Sequence, residues 1–276
     1  MMYSPIGVFD SGVGGLSVLR ELLRLLPDEA YVYLGDAARV PYGSKSPETV
    51  RLFARQCARF LTDAGVKAIV VACNTASAVA LDAVQAEAPL PVIGVIEPAA
   101  AAAVASTRQG RVGVIGTRAT IGSAAYTQAI QHLSEGIAVH SQACPLFVPL
   151  VEEGWIDEPA TRLIAQRYLA GLPSVDALVL GCTHYPLLKP LLAELLPGVA
   201  LIDCGEHTAR TVHAMLQATG ALAPARPRNG KAPIPQVRFC LTDIPPTFVP
   251  IAERFLGFPV TNVERVQIDH LCMEPA

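Results

Sequence analysis

Two segments of this chain each run an apolar stretch into a cysteine. They are Val70-Val71-Ala72-Cys73-Asn74-Thr75 and Val179-Leu180-Gly181-Cys182-Thr183-His184. Both read as a strand that ends at the thiol and hands over to a helix. A thiol at each of two equivalent strand ends places one on either side of a shared site. One thiolate can then remove a proton from one face of a carbon while a thiol delivers a proton to the other. A helix N-terminus after each cysteine is expected to lower the thiol pKa from its usual ~8.5 and to hold a thiolate. Asn74, Thr75, Thr183 and His184 add hydrogen-bonding groups beside the sulfurs.

Further candidates lie at other strand ends. Asp10-Ser11-Gly12-Val13-Gly14-Gly15 follows the first apolar run and opens a helix. Its glycines allow close backbone approach, and free N–H groups there favour a phosphate or a carboxylate. It lacks the endings of a Walker loop and the spacing of a dinucleotide site. The plainer reading is a tight turn with Asp10 as an N-cap. Gly35-Asp36 to Pro41-Tyr42-Gly43-Ser44-Lys45-Ser46 follows the second run and forms a wall of the same rim, or else an ordinary loop ending at a Ser46 N-cap before Pro47. The remaining cysteines, Cys57, Cys144, Cys204, Cys240 and Cys272, read as buried structural thiols. Cys182, His184, Cys204 and His207 form an alternative zinc set, although their spacing is not that of common fingers. The four lysines, Lys45, Lys67, Lys189 and Lys231, are placed on loops or exposed helix faces. None suits a buried Schiff base, so the chemistry is expected to run without pyridoxal phosphate.

These groups need a scaffold that gathers strand ends. Strands are predicted near 6–9, 31–34, 68–72, 92–95, 112–115, 137–140, 177–180, 199–202, 237–241 and 263–266. Between them run amphipathic patterns at 16–26, 47–64 and 161–169. In the second of these, Val50, Phe53, Ala54, Cys57, Phe60 and Leu61 share one face. Such alternation predicts an α/β fold with mainly parallel sheets, whose ligands bind beyond the carboxyl ends of the strands. The chain also echoes itself. Ile6–Gly12 resembles Val112–Arg118, and Gly7 lies 66 residues before Cys73 while Gly113 lies 69 before Cys182. The expectation is two similar domains related by a pseudo-twofold, with the site in the cleft between them. The first comprises 1–97 plus 207–276 and the second 98–206, with a Pro- and Ala-rich surface connection at 221–235.

Composition narrows the function classes. The chain of 276 residues is 51% hydrophobic and 16% charged, with a net charge of −3. It is globular, and its scattered basic residues suggest neither nucleic acid nor a membrane as partner. No apolar run reaches membrane-spanning length and no signal-peptide core is visible. Seven cysteines without a CxxC pair favour a reducing cytoplasm over a disulfide framework.

Taken together, Asp10–Gly15, Pro41-Tyr42-Gly43, Ala72-Cys73-Asn74-Thr75, Gly94-Val95-Ile96-Glu97-Pro98 and Gly181-Cys182-Thr183-His184-Tyr185-Pro186 closely resemble bacterial glutamate racemases of the aspartate/glutamate racemase family. The likeness runs in order from about Ile6 to about Ala209. Cys204 departs from it, standing where a small polar residue is expected. The resemblance implies interconversion of L- and D-glutamate without cofactor or metal, supplying D-glutamate for peptidoglycan. It implies Cys73 and Cys182 as acid/base residues, assisted by Asp10, His184 and Glu152. Substrate contacts carry over to Asp10, Ser11, Tyr42, Gly43, Asn74, Thr75, Thr183 and His184, with Thr117 and Thr120 as weaker candidates. A homodimer is in keeping with the family. A racemase of another acidic amino acid, a zinc-binding structural protein and a non-catalytic binding module stand as alternatives.

Overall fold

The computed structural model describes residues 2–226 and 235–268. Ten strands alternate with helices: β1 (Ile6–Asp10), β2 (Ala30–Gly35), β3 (Ala68–Val71), β4 (Val92–Gly94), β5 (Arg111–Gly116), β6 (Ala138–Ala143), β7 (Ala177–Gly181), β8 (Ala200–Asp203), β9 (Gln236–Leu241) and β10 (Val263–Arg265). Every strand expected from the sequence is present. They form two sheets, ordered β10-β9-β2-β1-β3-β4 and β6-β5-β7-β8. All pairings are parallel. Among the described residues no helix is long and apolar enough to cross a membrane.

The order β2-β1-β3-β4 recurs in the second sheet as β6-β5-β7-β8, so the echo in the sequence is a repeat of topology. In each sheet the chain steps one way from the central strand and then returns to its other side. That reversal opens a crevice at the carboxyl ends of β1 and β3, and another at those of β5 and β7. Asp10 and Cys73 stand at the first pair of ends, Thr117 and Cys182 at the second. β9 and β10 have no counterpart in the second sheet and extend the first beyond β2.

Central strands covered on both faces need apolar residues at nearly every position, which is why β1, β3 and β7 read as unbroken runs. Along β1, Ile6 and Val8 enter a core continuous with that of the second sheet, whereas Phe9 faces the helix Pro47–Asp63 through Val50, Ala54, Cys57 and Leu61. That helix starts as expected, with Ser46 accepting from the Thr49 N–H and Pro47 in its first turn. The strand β6 lies at an edge and is half-exposed. It therefore runs on through the polar Ser141 and Gln142, beyond the apolar segment that predicted it.

The expected placement of one lysine fails. Lys67 is buried rather than exposed: its Nζ lies 2.5 Å from Glu29 Oε2 and donates to the Ala221 carbonyl at 2.8 Å. A lysine just before a strand reads as a loop residue, but here a distant glutamate and a returning segment neutralise it. It sits at the amino end of β3, the opposite end of that strand from Cys73. Lys45 and Lys189 are partly exposed; Lys231 and Cys272 lie outside the described residues.

Candidate active site

The carboxyl ends of β1, β3, β5 and β7 enclose a cavity of about 330 Å³. It is lined by Asp10, Ser11, Tyr42, Gly43, Cys73, Asn74 and Thr75 from the first half. Glu152, Cys182, Thr183 and His184 line it from the second, together with Thr117. The structure brings these twelve residues, all named from the sequence, to the wall of one cavity. Thr120 stands just behind, its hydroxyl 3.0 Å from that of Thr117. Arg118, Val148 and Pro149 also line the cavity, and nothing in the sequence singled them out.

The two thiols are presented differently. Cys73 caps the helix Asn74–Val79, and its Sγ accepts the Ala76 N–H at 3.5 Å. It also lies 3.8 Å from Ser11 Oγ. The expected lowering of its pKa is not found. Burial, reinforced by the nearby Asp10 carboxylate, outweighs the helix N–H and pushes Cys73 up to about 12. Cys182 does not cap an α-helix; a short 3₁₀ turn, Tyr185–Leu188, follows it. Its Sγ lies 3.9 Å from His184 Nδ1, while His184 Nε2 meets Glu152 Oε1 at 2.9 Å. Burial alone would push His184 down. Its hydrogen bonds to Cys182 and Glu152 prevail and hold it at about 10. The ring stands edge-on to Phe255.

Asp10 does not cap the helix Leu16–Leu25 behind it, whose N-cap is Gly15 and which has no side-chain cap. Its Oδ2 accepts the Gly12 N–H at 2.9 Å, closing the turn, while Oδ1 is buried without a partner among the described residues. Burial raises its pKa, opposed by the charge of His184 and by the N–H groups of Gly12 and Gly15. Oδ1 is thus a buried acceptor that no described donor meets. Asn74 offers the complement: its Nδ2 is likewise buried and unpartnered.

The halves touch at their strand ends. Thr75 Oγ1 lies 3.0 Å from Thr117 Oγ1, and Ser17 donates to the Thr183 carbonyl at 2.7 Å. Gly14 packs against Thr183 and His184 so closely that a Cβ would lie 2.3 Å from Thr183 Oγ1 and 2.5 Å from His184 Cε1. The wall at Tyr42 is anchored from beneath. The Tyr42 hydroxyl donates to Asp36 Oδ2, Arg39 Nε donates to the same carboxylate, and Thr242, just after β9, donates to Asp36 Oδ1 at 3.0 Å.

Cys204 does not join Cys182 and His184; its Sγ lies 3.0 Å from the Tyr126 hydroxyl. Among the described residues no three His, Cys, Asp or Glu side chains are grouped to hold a metal ion. The six described cysteines are free thiols.

Burial gives an alkaline signature. Cys73, Cys144, Cys204 and Cys240 are each pushed up to about 12. Unfolded thiols ionise near ~8.5. Above that pH the unfolded chain sheds protons that the folded chain keeps, so stability falls as pH rises toward 12. His184, held at about 10, starts the same decline above its unfolded value of ~6.5. Melting temperatures are therefore expected to drop slowly from pH 6.5 and steeply above about 8.5. The slope is roughly 1.4 kcal/mol per pH unit for each wholly buried thiol. Melts between pH 6.5 and 11 check this; a flat or rising profile contradicts it.

Two α/β halves closing a small cavity lined by thiols, an imidazole and carboxyl groups form a site of the size and polarity that suit a small polar molecule. The sequence profile described as Asp/Glu/hydantoin racemase matches residues 6–212. Glutamate racemase of Geobacter metallireducens is 48% identical over 98% of each chain. The crystal structure of glutamate racemase from Francisella tularensis in complex with D-glutamate superposes with a TM-score of 0.89 at 40% identity, covering 98% of this chain and 99% of that one. That of Thermus thermophilus glutamate racemase in complex with β-chloro-D-alanine gives 0.86 at 49%, covering 97% and 98%. The chain belongs to the Asp/Glu/hydantoin racemase family, and it is an isomerase.

Proposed function

We propose that the protein is a glutamate racemase that exchanges the α-proton between Cys73 and Cys182. The observation that carries this is one thiol from each half on the wall of one cavity. Racemisation passes through a flattened, carbanion-like α-carbon, so one sulfur must take a proton while the other gives one. Cys73, kept protonated by burial, is poised to give. Cys182 takes the proton on the other face, and the imidazole beside it, kept charged by its hydrogen bonds to Cys182 and Glu152, donates to that sulfur from Nδ1. In the reverse direction the roles exchange.

The α-carbon is a far weaker acid than a thiol. The site must therefore stabilise the charge that builds on the carboxylate. Ser11, Asn74, Thr75 and Thr183 supply donors in a closed cleft, where such bonds gain strength. The free oxygen of Asp10 receives the ammonium group. A cavity of about 330 Å³ suits a molecule the size of glutamate. No step in this scheme calls on a cofactor or a metal.

The first domain is read as 1–97 plus 207–276 and the second as 98–206, consistent with the strands each range contributes to the two sheets. The physiological role is supply of D-glutamate for peptidoglycan in the cytoplasm, and the assembly is a homodimer, a reading that rests on the family resemblance.

The deciding experiment is incubation of the purified protein with L-glutamate in deuterated water, with nothing added. D-glutamate should appear, carrying deuterium at the α-carbon. No loss of the α-proton would leave only a binding module, and faster turnover of aspartate would reassign the substrate.

A further inference from the structure

Tyr126 stands behind the cavity wall, on the helix Ala125–Leu133 of the second half. Its hydroxyl crosses to the first half and donates to Asn74 Oδ1 at 2.6 Å. The phenol is buried, with Cys204 against it, and both keep it protonated and able to donate. Cys204 flanks the hydroxyl: its Sγ lies 3.0 Å from it, 3.8 Å from Asn74 Oδ1 and 3.2 Å from the Leu180 carbonyl.

With Oδ1 engaged, Asn74 has only Nδ2 to offer, and that nitrogen is buried without a partner among the described residues. Asn74 lines the cavity. A buried donor left unpaired is costly, and a ligand oxygen arriving beside it removes the cost. An amide is nearly symmetric in shape, so packing alone does not choose which end faces the ligand. Turned over, it would present its oxygen to an incoming carboxylate and repel it.

We propose that Tyr126 is a positioning residue that locks the Asn74 amide with Nδ2 toward the substrate carboxylate. The proposal rests on the racemase reading above. It means that a donor belonging to one half is oriented by the other, so the binding wall is correct only when the two halves are together.

The test is a double-mutant cycle in glutamate racemisation, using the parent, Tyr126→Phe, Asn74→Ala and the double variant. Tyr126→Phe removes one oxygen and keeps the packing. It should raise KM for both enantiomers about five- to tenfold, with a smaller change in kcat. Asn74→Ala should cost more, and the double variant should match Asn74→Ala alone, because the hydroxyl then has no amide to hold. Equal cost of Tyr126→Phe in both backgrounds, or an unchanged KM in the single variant, overturns the proposal. If the double variant fails to fold, stabilisation of Tyr126→Phe by D-glutamate decides: a smaller thermal shift than the parent's supports the proposal and an equal one overturns it. A parent inactive on glutamate overturns the racemase reading itself, whereas an active parent with an additive cycle overturns only the role of Tyr126.

Discussion

Cys73→Ser and Cys182→Ser are each expected to lower glutamate racemisation by about 10³-fold or more, because a hydroxyl is a far poorer base than a thiolate. Both sulfurs line the cavity from opposite halves, so neither substitution leaves a thiol on the affected face. Each variant should still keep half of the chemistry. A glutamate analogue with a leaving group on its β-carbon can lose the α-proton and then eliminate, which requires one base only. Cys73→Ser should process one enantiomer of that analogue and Cys182→Ser the other. Chiral chromatography of the unreacted analogue reads the outcome. The same preference in both variants, or racemisation of glutamate at the parent rate in either, contradicts the two-base assignment.

Gly14→Ala is expected to lower kcat/KM for glutamate by about 10²-fold, the cost of displacing reacting groups by about an ångström. The new Cβ would lie 2.3 Å from Thr183 Oγ1 and 2.5 Å from His184 Cε1. The threonine can rotate away, but the imidazole is held by Glu152 and packed on Phe255. Relief must then come from separating the first turn after β1 from the loop after β7, which moves Cys182 relative to Cys73. Gly122→Ala is the control, since a Cβ there meets nothing within 4 Å. It should leave kinetics unchanged. Equal activity of the two variants would show that the cleft tolerates opening at this point.

What the sequence revealed follows from what each feature requires. Buried parallel strands need continuous apolar runs, so β1, β3, β5 and β7 were plainly visible, and chemistry at their carboxyl ends fell beside glycines and cysteines that stand out in such runs. The site residues that the family resemblance implied line the cavity or, for Thr120, back it. Tyr126 was not legible, because a tyrosine inside an amphipathic helix looks like core until its hydroxyl is seen to reach another element. Asp36 was visible only as part of a loop, since Thr242, which helps to hold it, lies 206 residues away. Lys67 was misplaced for the same reason: its partner Glu29 belongs to another strand entry. The thiol pKa failed differently. Helix placement is local and readable, whereas desolvation depends on everything that covers the sulfur.

The order in which the ribosome releases these parts gives the Asp36 anchor another meaning. Synthesis proceeds from the N-terminus, and units fold as they emerge. Both thiols and all four strands of the second sheet are out before β9 is made. Thr242, which follows β9, arrives after that and fastens Asp36, and with it the wall at Tyr42. An unfinished chain thus carries both sulfurs without the contact that completes the wall at Tyr42.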